Sequence, residues 1–411
     1  MCADGLKLKA SSGDTDTKKS EFNVRTPMEE ADPFGLRHCD TDLIHDRRKG
    51  CSLFNTKGKD IVKMEAKKCA TLLFAALFAI LFLATGCKHG SSSEDEDLVG
   101  DWSKRSDFEG APRSSAVAFT IGDKAYVGLG YDGENRLTDF WQYDPQLNNW
   151  TRKKDFPGAA RNGAVAFSID PNGYVGTGYD GTNRLKDFYK YDPSTDSWVQ
   201  IADFGGTARY GAVAFSIGTK GYVATGDDGS FLKDLWEYDP LTNQWTQKVS
   251  LGGAKRRSAV AFVVDGKAYV CTGVDNGVYE NDLWEYDPSG GLWTGKRSIA
   301  NVSDESYDDK YSDIVGTNKV AFSIGGKGYV ATGGSGTTGS SVWEYDPSTD
   351  LWQQKTSFEG TSRMEAVGFV LGTYAYVTTG RNGSYYFDDL WGFAPGSEQG
   401  TLSKIEFIVS P

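Results

Sequence analysis

The sequence predicts an all-β protein, a ring of six four-stranded blades. Three observations point to it. Tryptophans recur at Trp102, Trp150, Trp198, Trp245, Trp293 and Trp352, spaced by 48, 48, 47, 48 and 59 residues. The segment before most of them repeats nearly the same line, as in "DFWQYDPQLNNW", "DLWEYDPLTNQW" and "DLWEYDPSGGLW". Glycine is heavy at 50 of 411 residues and aromatics reach 13%, which suits short strands and tight turns better than long helices. A period of about 50 residues carrying strand-like runs is the mark of propeller blades.

Each element has its own reason. The first strand of a unit, "GAVAFSI", alternates Val213, Phe215 and Ile217 with Ala212, Ala214 and Ser216. A period of two puts the small set on one face, and the innermost strand of a tapering blade needs one thin face. The second strand reads "KGYVATG" and the third "DLWEYDP", which places Trp236 and Tyr238 on one face where blades diverge. The fourth begins near the Trp, as in "NQWTQK". Such a blade cannot bury both faces alone; neighbours in a ring do that.

First strands recur around Val117, Val165, Val213, Val260, Val320 and Val367. Trp102 lies in "DWSKRSDF", a fourth-strand sequence with no first three strands before it. The last unit, "FDDLWGFAP", lacks its own terminal Trp, so Trp102 is expected to complete it and close the ring. The competing candidate for that strand is "TLSKIEFIVSP" at the C-terminus. The propeller is thus assigned to residues 101–396 and a C-terminal tail to 397–411.

The front of the chain reads differently. From Met64, Lys67 and Lys68 precede an uncharged apolar run, Cys69 to Thr85, that ends in "LATGC". This is the layout of a secretory signal peptide over residues 64–86. Its end resembles the lipobox of bacterial lipoproteins, which implies lipid attachment at Cys87. A signal anchor is the competing reading, at the short end of a bilayer-spanning length. Residues 1–63 are polar and aperiodic, either a non-native upstream extension or a disordered tail. Residues 87–100, "CKHGSSSEDEDLVG", form an acidic, Ser-rich tether. It resembles the acid-rich segment after the lipidated Cys of some exported lipoproteins, implying an outer-membrane or cell-surface location.

Charge and side-chain inventory exclude several functions. A net charge of −12 disfavours nucleic acid as a partner. Cys2, Cys39, Cys51, Cys69, Cys87 and Cys271 show no paired spacing, and only Cys271 lies in the repeats. The three histidines, His38, His45 and His89, all precede the repeats, so Ser-His-Asp chemistry has no base there.

Arginine before the first strand, Tyr-Val then Gly in the second, and the later "YDP" and Trp together resemble the kelch repeat of galactose-oxidase-type propellers. The kelch Gly pair is mostly Thr-Gly here, kept only at Gly333-Gly334. Galactose oxidase itself needs copper held partly by histidine, so copper oxidation is not expected, and no metal or cofactor is assigned. The resemblance also implies kelch-type sialic acid mutarotases as an alternative class. There Glu365 with Arg363 would form the acid/base pair.

The loops joining fourth to first strands and second to third strands share one face, the expected site. Arg113, Arg161, Arg209, Arg256 and Arg363 recur on it. They either ring a ligand or, more in keeping with repetition, each pairs with a loop Asp or carbonyl of its own or a neighbouring blade. The Asp before each third strand, at Asp139, Asp187, Asp234, Asp282 and Asp389, is read as a structural turn cap. Breaks in the repeat are more informative. Glu365 stands where the first four units have Gly or Ser, and "RNGSYYFDDLW" brings Arg381, Tyr385, Tyr386 and Phe387. The insertion "ANVSDESYDDKYSD" adds Tyr307 beside clustered acids, and Gly316 replaces the Arg there. Arg209, Tyr307, Arg363, Glu365, Arg381, Tyr385 and Tyr386 are therefore the candidate ligand contacts. The expected function is a monomeric, lipid-anchored binding module for a glycan or an envelope protein, with the mutarotase-like enzyme as the alternative.

Overall fold

The computed structural model describes residues 98–299, 311, 313–398 and 400. They form six four-stranded antiparallel sheets arranged as a propeller. The first begins with Val117–Ile121 and Lys124–Gly128 and ends with Phe140–Asp144 and Asn149–Lys153. The next four repeat that meander, starting at Val165–Ile169, Val213–Ile217, Val260–Val264 and Val320–Ile324. The sixth takes Val367–Leu371, Tyr374–Thr378 and Leu390–Ala394 from the end of the chain. Its fourth strand is Asp101–Lys104, paired antiparallel so that Trp102 faces Phe393 and Asp101 faces Ala394. Closure by the N-terminal strand is therefore as the sequence predicts. The competing segment, residues 401–411, lies outside the described residues, as do 1–97 with the signal segment and Cys87.

The alternation in the first strands sets the core. Val117 and Phe119, and their counterparts Val213 and Phe215, are buried between blades. The small set, including Ala118, Ala166, Ala214 and Ser216, lines a central channel of about 290 Å³. Large residues on that face would not fit where six strands converge. Each interface then gains an aromatic layer: Trp150 meets Phe108 edge-on at 4.9 Å, and Trp245 meets Phe204 at 5.0 Å.

The repeated line is explained residue by residue. Tyr143 donates its hydroxyl to Asn148, and Tyr238 to Asn243, at 2.9 Å each, holding turn residues at φ near the left-handed region. Asp144 accepts the N–H of Gln146 to shape the same turn. In five blades the Trp donates its indole N–H to the loop that follows the previous blade, as Trp198 does to the Lys154 carbonyl at 3.0 Å, while Trp352 has no such acceptor among the described residues. Trp102 does the same across the closure, to Thr356. One motif thus builds a blade and bolts it to its neighbour.

A second belt encircles the axis where the chain enters each first strand. Ser115, Gly163, Gly211, Ser258, Asn318 and Glu365 all have φ between +51° and +61°. Each N–H donates to the carbonyl of the preceding member, Gly163 to Ser115, Gly211 to Gly163 and so on round the ring. Ser115 returns to Glu365 at 2.9 Å. Six backbone hydrogen bonds form a closed circle and satisfy groups that would otherwise face the channel mouth unpaired.

Candidate functional site

Above that belt lies a cavity of about 450 Å³ at the mouth of the propeller. The belt is its floor. The walls come from Ser114, Asn162, Tyr210 and Arg257, each just before a belt position, and from the loops between second and third strands. Tyr131, Arg136, Tyr210, Arg257, Arg381 and Tyr386 are the large side chains that line it.

Glu365 is the acidic group at the centre of this arrangement. Its Oε2 accepts hydrogen bonds from Ser114 and Ser115, each at 2.9 Å, and from Arg381 Nε at 2.9 Å. Oε1 accepts Arg381 Nη2 at 2.7 Å. Burial alone would push its carboxyl upward. The bonds and charge of Arg381, with those of the two serines, outweigh it and hold the group below the usual carboxylate range.

The other arginines are less engaged. Arg136 stacks between the rings of Tyr131 and Tyr179, 5.4 and 5.0 Å from their centroids, and donates Nε to Asn162 Oδ1 at 2.9 Å. Its two terminal nitrogens donate to no protein group among the described residues. Arg257 lies over Tyr210 and Phe231, and one terminal nitrogen serves both the Tyr210 hydroxyl and Asp227. Tyr386 meets Tyr131 edge-on at 6.1 Å. The lining holds three arginines against one carboxylate, a positive mouth on a chain of net charge −12.

The structure brings Glu365, Arg381 and Tyr386 together as candidate contacts. It places the others elsewhere. Arg363 has no exposed surface: Nη1 and Nη2 donate to the two oxygens of Asp389, Nη1 also to the Thr379 carbonyl, and Nε to the Thr361 carbonyl. Arg209 is likewise buried on Asp234, Thr225 and Thr207. Both expectations are corrected, because a guanidinium saturated inside its own blade has nothing left for a ligand at the mouth. The Glu365–Arg363 pair also falls away, since Glu365 pairs with Arg381. Tyr385 is 77% exposed and does not line the cavity. Tyr307 and most of its insertion lie outside the described residues.

Arg136, Arg257, Tyr131 and Tyr210 were not singled out from sequence. A signal did exist. The position after the repeated Arg (after Gly316 in the fifth blade) reads Ser114, Asn162, Tyr210, Arg257, Thr317 and Met364, and in the first four blades this variable position, not the constant one, borders the mouth.

The described residues form a six-bladed β-propeller, and part of the chain is similar to the kelch motif. A model of the kelch motif matches it over residues 112–157, 178–205, 208–252 and 255–296. Among solved structures, that of YjhT superposes with a TM-score of 0.59 at 19% identity, covering 69% of this chain and 95% of that one. That likeness is one of fold. A comparison with curated proteins finds no match.

Proposed function

We propose that the protein is a binding module that holds a glycan or an envelope protein in the mouth of its propeller, tethered to the envelope by a lipid on Cys87. The observation that carries this reading is the state of Glu365. A general acid or base at an anomeric carbon works best with a pKa near the operating pH. Glu365 is held low and its carboxylate already accepts four hydrogen bonds. It is built to position Arg381, and that favours recognition over the mutarotase-like alternative.

The surrounding groups suit a sugar. Tyr131, Tyr210 and Tyr386 offer apolar faces with polar edges, and Arg136 and Arg257 keep donors in hand. The excess of guanidinium favours an acidic substituent on the ligand. A glycan array, followed by proton NMR of anomer exchange on each hit, tests the proposal. Binding without accelerated exchange is expected. Accelerated exchange that is lost in Glu365→Gln would replace it with the enzymatic reading.

A further inference from the structure

Five blades share one buried device. In each, a fully buried Arg forks onto an Asp, and in four of them the same Asp accepts the indole N–H of the Trp two residues on; the second blade has Tyr189 at that place. Arg113 reaches Asp139 at 2.6 and 2.7 Å, and Trp141 Nε1 reaches it at 2.8 Å. Asp234 with Trp236, Asp282 with Trp284 and Asp389 with Trp391 repeat that indole bond. The Arg also donates to the carbonyl that follows the second strand: Leu129, Thr177, Thr225, Thr272 or Thr379.

The fifth blade keeps the donors and drops the acid. Gly316 stands in the Arg position and Ser341 in the Asp position. Lys319, only 8% exposed, sends its ammonium to the Thr332 carbonyl at 2.9 Å, the counterpart of the carbonyl the other blades give to Arg. Its second bond goes to the Asp313 carbonyl at 3.0 Å. Trp343 keeps the Trp register two residues after Ser341 and is 5% exposed, yet its Nε1 has no hydrogen-bond partner among the described residues. A polar cavity of about 300 Å³ lies here, lined by Lys319, Asp313, Ser340, Ser341 and Gln354 among others. Gln354 is the cross-strand neighbour of Trp343. The Lys319 ammonium lines this space with two carbonyl acceptors for its three donors, and the Trp343 indole N–H lies just behind the Ser341 wall with no acceptor among the described residues.

We infer that this slot in the fifth blade binds a carboxylate-bearing small molecule, whose carboxylate takes the place held by Asp in the other five. The site is separate from the mouth, and it stands whether or not the mouth binds a glycan. Among the described residues two titratable groups face Lys319. Asp313 lines the same cavity, and Cys271 packs from the fourth blade, its thiol pushed up to about 12 by burial and so neutral. Burial also pushes Lys319 down to about 8, so a bound anion, which favours the charged ammonium, should bind more weakly as pH rises through that value.

The test is a titration of the full-length protein with sodium acetate, followed through the indole N–H signals of its 11 tryptophans. Loss of one signal in Trp343→Phe assigns the reporter. Its resonance should shift saturably with acetate and not with sodium chloride at matched ionic strength. Lys319→Met should weaken binding by about tenfold or more, the worth of one charge-assisted hydrogen bond, and Asp313→Asn should strengthen it. Ser341→Asp supplies the carboxylate from within the chain. It should displace the Trp343 signal without ligand and abolish the acetate response. No saturable shift, a larger response to inorganic phosphate than to acetate, or undiminished acetate binding in Ser341→Asp overturns the assignment.

Discussion

Glu365 grips Arg381 through both carboxylate oxygens, at 2.7 and 2.9 Å, from a backbone whose φ is +59°. That conformation is uncommon for a residue of this size and persists where its surroundings over-determine it. The closed belt of backbone hydrogen bonds fixes the main chain there, and Ser114, Ser115 and Arg381 fix the side chain.

Replacing Glu365 by Gly should therefore separate folding from recognition. Relief of the left-handed conformation, on the order of 1 kcal/mol, offsets part of the lost ion pair. The melting temperature should stay within about 3 °C of wild type, while ligand affinity on the array falls with the loss of Arg381 positioning. A large drop in melting temperature with unchanged affinity would make Glu365 a structural residue only.

Arg161→Met should behave in the opposite way. Removing one partner of a buried pair strands Asp187 and costs about 3–5 kcal/mol, read by urea denaturation. Affinity of the protein that remains folded should match wild type, because Arg161 is fully buried and its guanidinium is spent on Asp187 and the Ala159 and Thr177 carbonyls. Arg257→Ala and Arg136→Ala should reverse that pattern, with affinity down about tenfold and stability little changed.

Acid should loosen the ring through the same carboxylates. Burial pushes Asp139 and Asp389 upward, and their arginines outweigh it and hold both below the ordinary value, as Arg381 and the serines do for Glu365. A depressed folded-state pKa contributes stability that is complete above the unfolded value, about 4, and is lost as pH falls through the folded value. On the surface turn, Lys327 and Ser348 bring Asp346 to about 2. The melting temperature should be level from neutral pH to about 5 and fall below about 4. A fall beginning near neutrality would point to other groups.

The closing strand gives a further test. Trp102 is 3% exposed and packs between Phe358 and Phe393. Trp102→Ala should cost about 3–5 kcal/mol, as for other large buried aromatics. Equal thermal stability of chains starting at residues 95 and 110 would show the strand to be peripheral.

The lipid anchor is tested separately. Mass spectrometry of membrane-extracted protein should find an acylated N-terminal Cys87, and Cys87→Ala should release the protein from the membrane fraction. Peptides from residues 1–63 on the mature chain would count against it.

The blades were legible because their requirements repeat. Small residues on the first strand, Trp on the fourth and Tyr on the third each answer a packing need that recurs with every blade, so the pattern announces the ring and its closure. The mouth was half legible. Glu365, Arg381 and Tyr386 break the repeat, and all three line the cavity. Arg209 and Arg363 stood among the ligand contacts although their repetition favoured pairing within the ring, and each is folded back onto an Asp some 25 residues away and 26 residues away. Arg136 sits in a loop whose fold sequence periodicity does not reach, and its place between two tyrosine rings depends on neighbouring blades. The empty acid position at Ser341 was invisible for another reason: a missing carboxylate matters only once the orphaned Trp343 beside it is seen.

The entry point of the first described residues has a consequence for orientation. Asp101 pairs with Ala394 at the end of the blade away from Arg363 and Asp389, and Gly100 donates to Ser397 there. Val99 lies by Gly325 and Gly372, which sit in hairpin turns between first and second strands, on the side remote from the mouth. Were Cys87 held in a membrane, the chain from there to Leu98 would span at most about 40 Å. The tether would then meet the propeller on the side opposite Glu365, Arg381 and Tyr386 and leave their cavity unobstructed at its point of entry.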